Sequence, residues 1–375
     1  MNKVIRLLVA IGLISAATFA AESRSVAPLR LTLPPVCYAV PGVQMSIYYD
    51  NIVLTQTPEN YRFTVKCDVG KSEARRWTLT PTDKVVGDHA LTVTVADADG
   101  KALSQQKTTF RIVPTGAGTG KTIRLLIIGD SLTGATAYPT EIARLLSLPG
   151  NPTWKMLGTP RPSAAVKGVA HEGYGGWTWA RFVSHYEPKP DPAQRKISSP
   201  FVFLGADGKP ALDVPRYFKQ TCAGELPDFV TIMLGINDCF RAPPDDPKGT
   251  DTCIDNMFKQ AETLLVALRA AAPNANIGVC LTTPPNARES GFEANYKGKN
   301  RRWGWKRIQH RLVERQLEHI GNREKEHIFL VPTELNLDPV DGYPNNNGVH
   351  PNTAGYNQIG ASIYAWLKWR LSIQN

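Results

Sequence analysis

The chain has 375 residues, of which 42% are hydrophobic and 20% are charged, and its formal net charge is +10. This length exceeds one ordinary domain of roughly 100–200 residues, and the near-average apolar fraction excludes a wholly disordered, collagen-like or disulfide-scaffold chain. A nucleic-acid partner stays open at this point, because a charge total does not say where the charges lie.

The first 20 residues have the pattern of a secretory signal peptide. Lys3 and Arg6 precede an apolar stretch at 7–19 that is short for a membrane span, and Ala20 offers a small residue at the cleavage site. We expect export to the periplasm or the medium, with cleavage near Ala20 and no stable membrane insertion of the mature chain. Cleavage removes the two positive charges of Lys3 and Arg6 and leaves a net charge of +8.

Residues 24–114 carry short alternating segments without a helical period, which is typical of β-strands. The clearest segments are 43–49, 61–67, 90–96 and 108–113. Turn residues at 97–100 separate the last two segments. The pattern predicts a small antiparallel β-sandwich as an accessory domain. The Gly-rich stretch 115–122 that follows predicts a linker.

From 123 to 375 the pattern changes to apolar runs that alternate with segments of helical spacing. The expected buried strands are 123–128, 229–234, 277–281 and 328–331, with 154–157 as a weaker fifth. The expected helices are 141–148, 254–271, 302–320 and 354–371. Such alternation predicts a parallel sheet covered by helices on both faces. Reactive groups in these folds gather beyond the carboxyl ends of the strands.

Four short blocks place chemically useful residues after predicted strands or before the last helix. GDSLT at 129–133 follows the first strand and exposes Ser131 on a strand-to-helix turn, where a helix cap is an equally good explanation of a lone serine. GYGGWT at 173–178 offers glycine backbone that can approach a ligand closely. GIND at 235–238 supplies Asn237, and NGVHPN at 347–352 supplies His350.

These blocks, in this order, resemble the SGNH (GDSL-type) hydrolase family in its secreted bacterial branch, over about two thirds of the chain. The resemblance implies a flavodoxin-like three-layer α/β/α domain with a mainly parallel five-stranded sheet, preceded by a small all-β sandwich with immunoglobulin-like strands. It also implies that Ser131 is the nucleophile and His350 its base. The implied oxyanion hole consists of the backbone amides of Ser131 and Gly176 and the side-chain amide of Asn237.

One position departs from the family pattern, because Asn347 stands three residues before His350, where the family has an acid. In a serine protease the corresponding Asp→Asn change lowers turnover by ~10⁴, since the amide can stabilise the wrong imidazole tautomer. In the first hypothesis, Ser131 and His350 act as a dyad, and Asn347 or a backbone carbonyl orients His350. In the second, a carboxylate of the preceding loop takes the place of the missing triad acid. The third hypothesis is a catalytically weakened binding protein. The substituting carboxylates would be Asp341, Asp338 or Glu334.

Aromatic residues near the glycine block are candidates for substrate binding. For Trp177 and Trp179, and likewise for Trp303 and Trp305, packing inside the fold is the default explanation, and stacking on sugar rings is the alternative. His171, which precedes the glycine block, is expected at the surface.

Six cysteines occur in a chain that we expect to be exported, so disulfides are permissible. Cys239 and Cys253 flank a Pro-rich loop and are a possible disulfide that would close it, with free cysteines as the alternative. The spacing of cysteines and histidines matches no zinc pattern, and nothing in the sequence predicts a metal or a cofactor.

The sequence therefore predicts a secreted serine esterase, and a carbohydrate O-acetylesterase is the preferred form. No long apolar lid-like helix is predicted, which disfavours a lipase for long acyl chains. The substrate would be an acylated small molecule or polysaccharide. The alternatives are an esterase or thioesterase for lipid or small-molecule acyl esters, and a glycan-binding protein with a silent hydrolase fold. Because the basic residues are dispersed, we expect no nucleic-acid partner.

Overall fold

The computed structural model describes residues 29–298 and 300–373. The leader predicted at 1–20 lies outside these residues, so its cleavage and the export of the chain stay predictions. Among the residues described, no helix is both long enough and apolar enough to cross a membrane.

The N-terminal β region, residues 29–113, contains two sheets. Its elements are β1 (Val36–Ala39), β2 (Met45–Tyr48), α1 (Tyr49–Ile52), β3 (Arg62–Lys66), β4 (Lys71–Ser72), β5 (Arg76–Leu79), β6 (Gly87–Ala96) and β7 (Ala102–Ile112). One sheet has the order β1-β7-β6-β3 and the other the order β2-β5-β4. β1 joins β7 in parallel, so the first sheet is mixed and not wholly antiparallel as predicted.

The α/β region, residues 122–373, is built on a parallel sheet. The strands of this region are β8 (Thr122–Gly129), β9 (Thr153–Leu157), β10 (Glu172–Gly173), β11 (Val202–Leu204), β12 (Pro210–Leu212), β13 (Phe229–Met233), β14 (Asn276–Cys280) and β15 (Ile328–Val331). β9 and β10 follow one another along the same edge of β8, and the sheet continues through β13, β14 and β15, with every pair parallel. β11 and β12 form a separate antiparallel pair.

The sheet is five strands wide, and its order in chain sequence is 2-1-3-4-5 when β9 and β10 share one position. This is the doubly wound order of flavodoxin-like folds, so the predicted fold class is confirmed. β9 lies on one side of β8 and β13 lies on the other, so the connections to these strands run in opposite directions. This reversal opens a crevice beyond the carboxyl ends of β8 and β13.

Helices cover the sheet in two groups. The helices of this region are α2 (Ser131–Gly134), α3 (Ala137–Leu146), α4 (Trp179–Ser184), α5 (Val214–Thr221), α6 (Ile236–Cys239), α7 (Pro247–Ala271), α8 (Glu289–Tyr296), α9 (Arg302–Ile320), α10 (Thr333–Asn336) and α11 (Thr353–Ile373). α3 packs against α11, and α7 packs against α4, α5 and α9. β13 and β14 are buried at every position, as expected for strands covered on both faces.

The N-terminal β region packs onto α10 and α11 through buried polar and aromatic contacts. The side-chain nitrogen of Asn51 donates to the backbone carbonyls of Glu334 at 2.7 Å and Leu337 at 2.8 Å. Tyr38 stacks on Trp369 with ring centroids 4.6 Å apart. The two regions therefore share a buried interface.

The stretch 115–122, predicted as a linker, is held against α11. Ala117 is buried, and its carbonyl accepts a hydrogen bond from Lys368 Nζ. The same ammonium group donates to the carbonyl of Gly150 at 3.0 Å. The junction between the two regions is thus fixed by α11.

Asn51→Ala is expected to lower the free energy of unfolding by about 1–3 kcal/mol, because it leaves the buried carbonyls of Glu334 and Leu337 without their donor. Urea denaturation of the full chain measures this change. Asn60→Ala, at an exposed asparagine of the same region, is the control and should change stability by less than about 0.5 kcal/mol. Equal unfolding midpoints for the two variants would contradict the assigned role of Asn51.

Candidate active site

Ser131 is the first residue of α2 and lies at the end of β8. The Oδ1 atom of Asp130 caps this short helix by accepting from the backbone N–H of Leu132 at 2.9 Å. The glycine block packs directly on α2, since a Cβ atom at Gly173 would lie 2.5 Å from Thr133 Cγ2. Only glycine permits this approach, and it fixes the backbone on which Ser131 sits.

His350 lies in the loop before α11 and contacts Ser131 directly. Its Nε2 atom is 2.8 Å from Ser131 Oγ, and its Nδ1 atom is 3.0 Å from Asn347 Oδ1. Burial lowers the pKa of His350 below its ordinary value. The ring is therefore neutral at pH 7, so one ring nitrogen carries a hydrogen and the other accepts.

The side-chain amide of Asn347 can face His350 in only one orientation. The backbone N–H groups of Val349 and His350 both point at the same amide atom, at 3.1 and 2.9 Å. A backbone N–H only donates, so this atom must be the oxygen. The oxygen then accepts from Nδ1–H of His350. This hydrogen bond leaves Nε2 free to accept from the hydroxyl of Ser131.

The carboxylates predicted as substitutes for Asn347 lie elsewhere. Arg75 binds both Asp338 and Asp341, with nitrogen–oxygen distances of 3.2 and 2.7 Å. Glu334 is buried in α10, and burial raises its pKa well above the ordinary value. Within the part of the chain that the structure describes, none of the three bonds to His350. The structure places Asn347 against the imidazole, and the prediction of Asp341 as its partner is wrong.

Asn237 and Gly176 lie at the same crevice. The side-chain amide of Asn237 donates to Asp130 Oδ2 at 3.2 Å and to the carbonyl of Trp177 at 3.1 Å, so it links the first three sequence blocks. Gly176 is exposed and has φ +78°, a left-handed conformation that favours glycine. Over residues 29–298 and 300–373, the backbone N–H groups of Ser131 and Gly176 have no hydrogen-bond partner.

Two carboxylates, the buried Asp130 and the half-buried Asp238, hold the loops around Ser131. Burial raises the pKa of Asp130 and of Asp238 to about 7. Asp130 binds Leu132 and Asn237, while Asp238 Oδ1 accepts from the backbone N–H of Trp179 at 3.1 Å. Both side chains position backbone and amide groups at the crevice.

The structure corrects two predictions about residues beside the glycine block. Trp177 and Trp179 are each 2% exposed, and Trp177 packs edge-on to Phe182 with ring centroids 4.9 Å apart. Their faces are covered, so they pack inside the fold, and the alternative that they bind sugar rings is wrong. His171 is fully buried, with Nε2 3.0 Å from Thr136 Oγ1, and its predicted surface placement is also wrong.

Cys239 and Cys253 are free thiols, so the predicted disulfide is not formed in this structure. Cys239 is buried at the end of α6, and Cys253 Sγ lies 3.4 Å from the carbonyl oxygen of Asp238. The neighbouring thiol of Cys239 lowers the pKa of Cys253 to about 7. Their oxidation to a disulfide stays a prediction.

Asn286, which sequence reasoning missed, supports the loop that carries His350. Its side-chain nitrogen donates to the carbonyls of Pro344 and Asn347, both at 2.9 Å, and its backbone N–H donates to the carbonyl of Gly348. Asn286 follows β14, so the strand-end rule that selected Asn237 could have found it.

The arrangement combines a hydroxyl, a neutral imidazole hydrogen-bonded to it, and nearby amide donors. These are the components of acyl transfer through a serine nucleophile. In the described part of the chain, no group of three or more His, Cys, Asp or Glu side chains is arranged to hold a metal ion.

Solved structures with a similar fold share little sequence with this chain. A gut microbial diltiazem-metabolizing enzyme is 13% identical at a TM-score of 0.40; the match covers 67% of this chain but only 47%, about half, of that enzyme. An acetyl xylan esterase is 12% identical at a TM-score of 0.36, covering 65% of this chain and 100% of its own. A family two carbohydrate esterase from Clostridium thermocellum, in complex with cellohexaose, is 14% identical at a TM-score of 0.38, covering 89% and 94%. No curated protein matches the sequence.

A family model matches the sequence itself. Residues 127–358, more than half of the chain, match the GDSL-like lipase/acylhydrolase family. The matched stretch contains Ser131, Asn237 and His350, which the structure brings to one crevice. The chain therefore belongs to the GDSL-like lipase/acylhydrolase family and is a carboxylic ester hydrolase.

Proposed function

We propose that this hydrolase is a serine esterase in which Ser131 and His350 are the catalytic residues and Asn347 is a positioning residue. The observation that carries the proposal is the continuous hydrogen-bonded line from Ser131 Oγ through the imidazole to Asn347 Oδ1, at 2.8 and 3.0 Å. Ser131 attacks the ester carbonyl while Nε2 of His350 takes its proton and then donates it to the leaving alcohol. Water releases the acyl group from Ser131 by the same route.

The proposed oxyanion hole consists of the N–H groups of Ser131 and Gly176 and the amide of Asn237. Asn237 already donates to Asp130 and to the carbonyl of Trp177, at distances of 3.2 and 3.1 Å near the long end of the range. Asn237 must exchange one of these bonds for the substrate oxygen. One such donor is typically worth about 2.7–4 kcal/mol of transition-state stabilisation.

Asn347 can perform half of the usual task of a triad acid. Its fixed oxygen selects the imidazole tautomer that catalysis needs, as the hydrogen bonds from Val349 and His350 indicate. Its neutral amide adds no charge to stabilise the imidazolium that forms when Ser131 loses its proton. The lowered pKa of His350, caused by burial, agrees with the lack of a carboxylate partner.

We further propose that the substrate is a carbohydrate O-acetyl ester and that the mature chain is exported. The leader pattern at 1–20 supports export. A groove of about 1020 Å³, here named the α8–α9 groove, supports a carbohydrate because it presents aromatic rings beside the end of α6. Its lining consists of residues 240–245, 295–298, 300, 301, 303–305, 307 and 308.

Ser131→Ala is expected to lower kcat/KM for an aryl acetate by about 10⁴-fold or more, because the nucleophile is lost. Ser184→Ala, at an exposed serine of α4, is the control and should keep full activity. A fluorophosphonate should label the wild-type chain at Ser131 and leave Ser131→Ala unlabelled. Full activity in Ser131→Ala would overturn the assignment.

Asn347→Asp is expected to move the acid limb of the kcat/KM profile to higher pH. A carboxylate beside Nδ1–H stabilises imidazolium and so raises the pKa of His350, which must be neutral to accept the proton of Ser131. In the wild type this limb lies below the ordinary histidine pKa, since burial lowers the pKa of His350. The plateau rate should rise by less than about tenfold, because the tautomer is already correct.

Asn346→Asp provides the matched control for that experiment. Asn346 is exposed and adjacent to Asn347, so the variant adds the same charge without a contact to the imidazole. Its pH profile should follow the wild type. A gain near ~10⁴ in Asn347→Asp would show that Asn347 stabilises the wrong tautomer. An unmoved acid limb would show that residue 347 does not face His350 in solution.

Acetyl esters are expected to be hydrolysed at least about tenfold faster than the matching octanoyl esters, as each misfit methylene group costs binding in a pocket shaped for acetyl. A series of p-nitrophenyl acetate, butyrate and octanoate measures this preference, and acetate release from acetylated polysaccharides tests the acceptor. Faster hydrolysis of octanoate would favour the lipid alternative. If Ser131 is labelled but no polysaccharide releases acetate, the carbohydrate proposal fails.

A further inference from the structure

The α8–α9 groove begins where α6 ends. Phe240 directly follows α6, the helix that carries Asn237, and it lines the groove. Its ring contacts those of Tyr296 and Trp305, with centroids 4.9 and 5.0 Å apart. Phe240, which forms part of one wall of the groove, therefore directly follows the helix that carries Asn237, the proposed oxyanion-hole residue.

A second contact joins the groove to the loop of His350. Phe292 of α8 lies so close to Gly348 that a Cβ atom there would be 2.9 Å from its ring. The centroids of Phe292 and Tyr296 are 5.7 Å apart, and Tyr296 lines the groove. Phe292 therefore connects Tyr296, which lines the groove, to the loop that carries His350.

The groove presents unpaired positive charge. Arg241, Lys297 and Arg301 are exposed lining residues, and none of them forms an ion pair within the described part of the chain. Asp245, the acidic residue among the described lining residues, is already bound by Arg307 at 2.7 Å. Three cations therefore stay available to a ligand.

Further along α9, the arginine side chains form ion pairs with acidic residues. Arg311 binds Asp251 at 2.7 Å, and Arg315 binds Asp255 at 2.5 Å. Arg311 and Arg315, which lie on α9 beyond the groove, are thus neutralised by acids of α7, whereas Arg241, Lys297 and Arg301 are not.

Buried donors without partners also line the groove. Trp305 is 2% exposed, and its indole Nε1 has no hydrogen-bond partner within residues 29–298 and 300–373. The buried Nε of Arg307 also lacks a partner in that part of the chain. Trp303, half-buried beside them, offers a ring for stacking.

We propose that the α8–α9 groove binds the uronic acid units of an acidic polysaccharide; this rests on the proposed function, in which Ser131 deacetylates a carbohydrate. Carboxylates of the polymer pair with Arg241, Lys297 and Arg301 in charge-assisted hydrogen bonds. Pyranose faces pack on Trp303 and Tyr296. The volume of about 1020 Å³ is at the upper end of the roughly 300–1,000 Å³ of small-molecule pockets, which suits several linked units.

Polygalacturonate and its fully methyl-esterified form are the probes, because they share one backbone and differ in charge. Calorimetry with the full chain should show that polygalacturonate binds at least about tenfold more tightly. Raising the NaCl concentration from 0.05 to 0.5 M should weaken its binding and leave that of the methyl ester nearly unchanged, because salt screens exposed charges.

A double variant, Arg241→Gln with Arg301→Gln, tests the site. It should raise the Kd for polygalacturonate at least about tenfold, because two charge-assisted contacts are lost. The matched control is Lys66→Gln with Lys107→Gln, which removes two exposed cations of the N-terminal β region that form no ion pair with any described residue; it should bind like the wild type. All four positions are exposed, and circular dichroism verifies folding.

Equal affinity for the two polymers would overturn the inference, as would an equal loss of affinity in the two double variants. Equally tight binding of single-stranded DNA would also overturn it, because that result would show unspecific attraction of polyanions. The probe carries no acetyl group, so its binding does not depend on the chemistry of Ser131. If Ser131→Ala still hydrolyses aryl acetates, the proposed function fails while the binding result stands. If binding fails but hydrolysis depends on Ser131, the groove inference alone fails.

Discussion

The reversal of strand order between β8 and β13 is the constraint on which the candidate site depends. Loops that follow these neighbouring parallel strands leave in opposite directions, so a crevice opens at their carboxyl ends. Ser131 begins one loop and Asn237 lies in the other, and the hydrogen bond from Asn237 to Asp130 crosses the crevice at 3.2 Å. Gly173 then allows a third segment to close on α2 without a side chain in between. The geometry at Ser131 thus follows from the topology of the sheet.

Within that crevice, the direction of one amide decides which nitrogen of His350 can act. A free asparagine side chain can present oxygen or nitrogen to an imidazole, and the two choices select opposite tautomers. Here the backbone N–H groups of Val349 and His350 both donate to the amide oxygen, and these two bonds fix its position independently of the imidazole. The loop of Asn347 is in turn clamped by Asn286. A carboxylate has only acceptor oxygens, so it would select this tautomer of His350 in any orientation. With Asn347, the backbone N–H groups of the loop fix the orientation of the amide instead.

The strand–helix alternation and the approximate positions of the strands could be predicted, because buried parallel strands form continuous apolar runs in the sequence. The meeting of Ser131 with His350 followed from strand-end logic and the family resemblance. Which way neighbouring side chains turn could not be predicted. Trp177 directly follows the exposed Gly176 and His171 precedes the glycine block, yet both side chains are buried, since their placement depends on long-range packing. The parallel pairing of β1 with β7 is likewise a contact between segments about 70 residues apart.

Arg75 explains why no carboxylate takes the place of Asn347. Asp338 and Asp341 precede the loop of His350, and Arg75 of the N-terminal β region binds both of them. Arg75 thereby joins the buried Asp338 to the exposed Asp341, and its shared guanidinium fixes where both carboxylates point. Asn51 also anchors this segment by donating to the carbonyl of Leu337. The N-terminal β region therefore helps to build the acidic turn before His350, and it holds that turn's charges away from the imidazole.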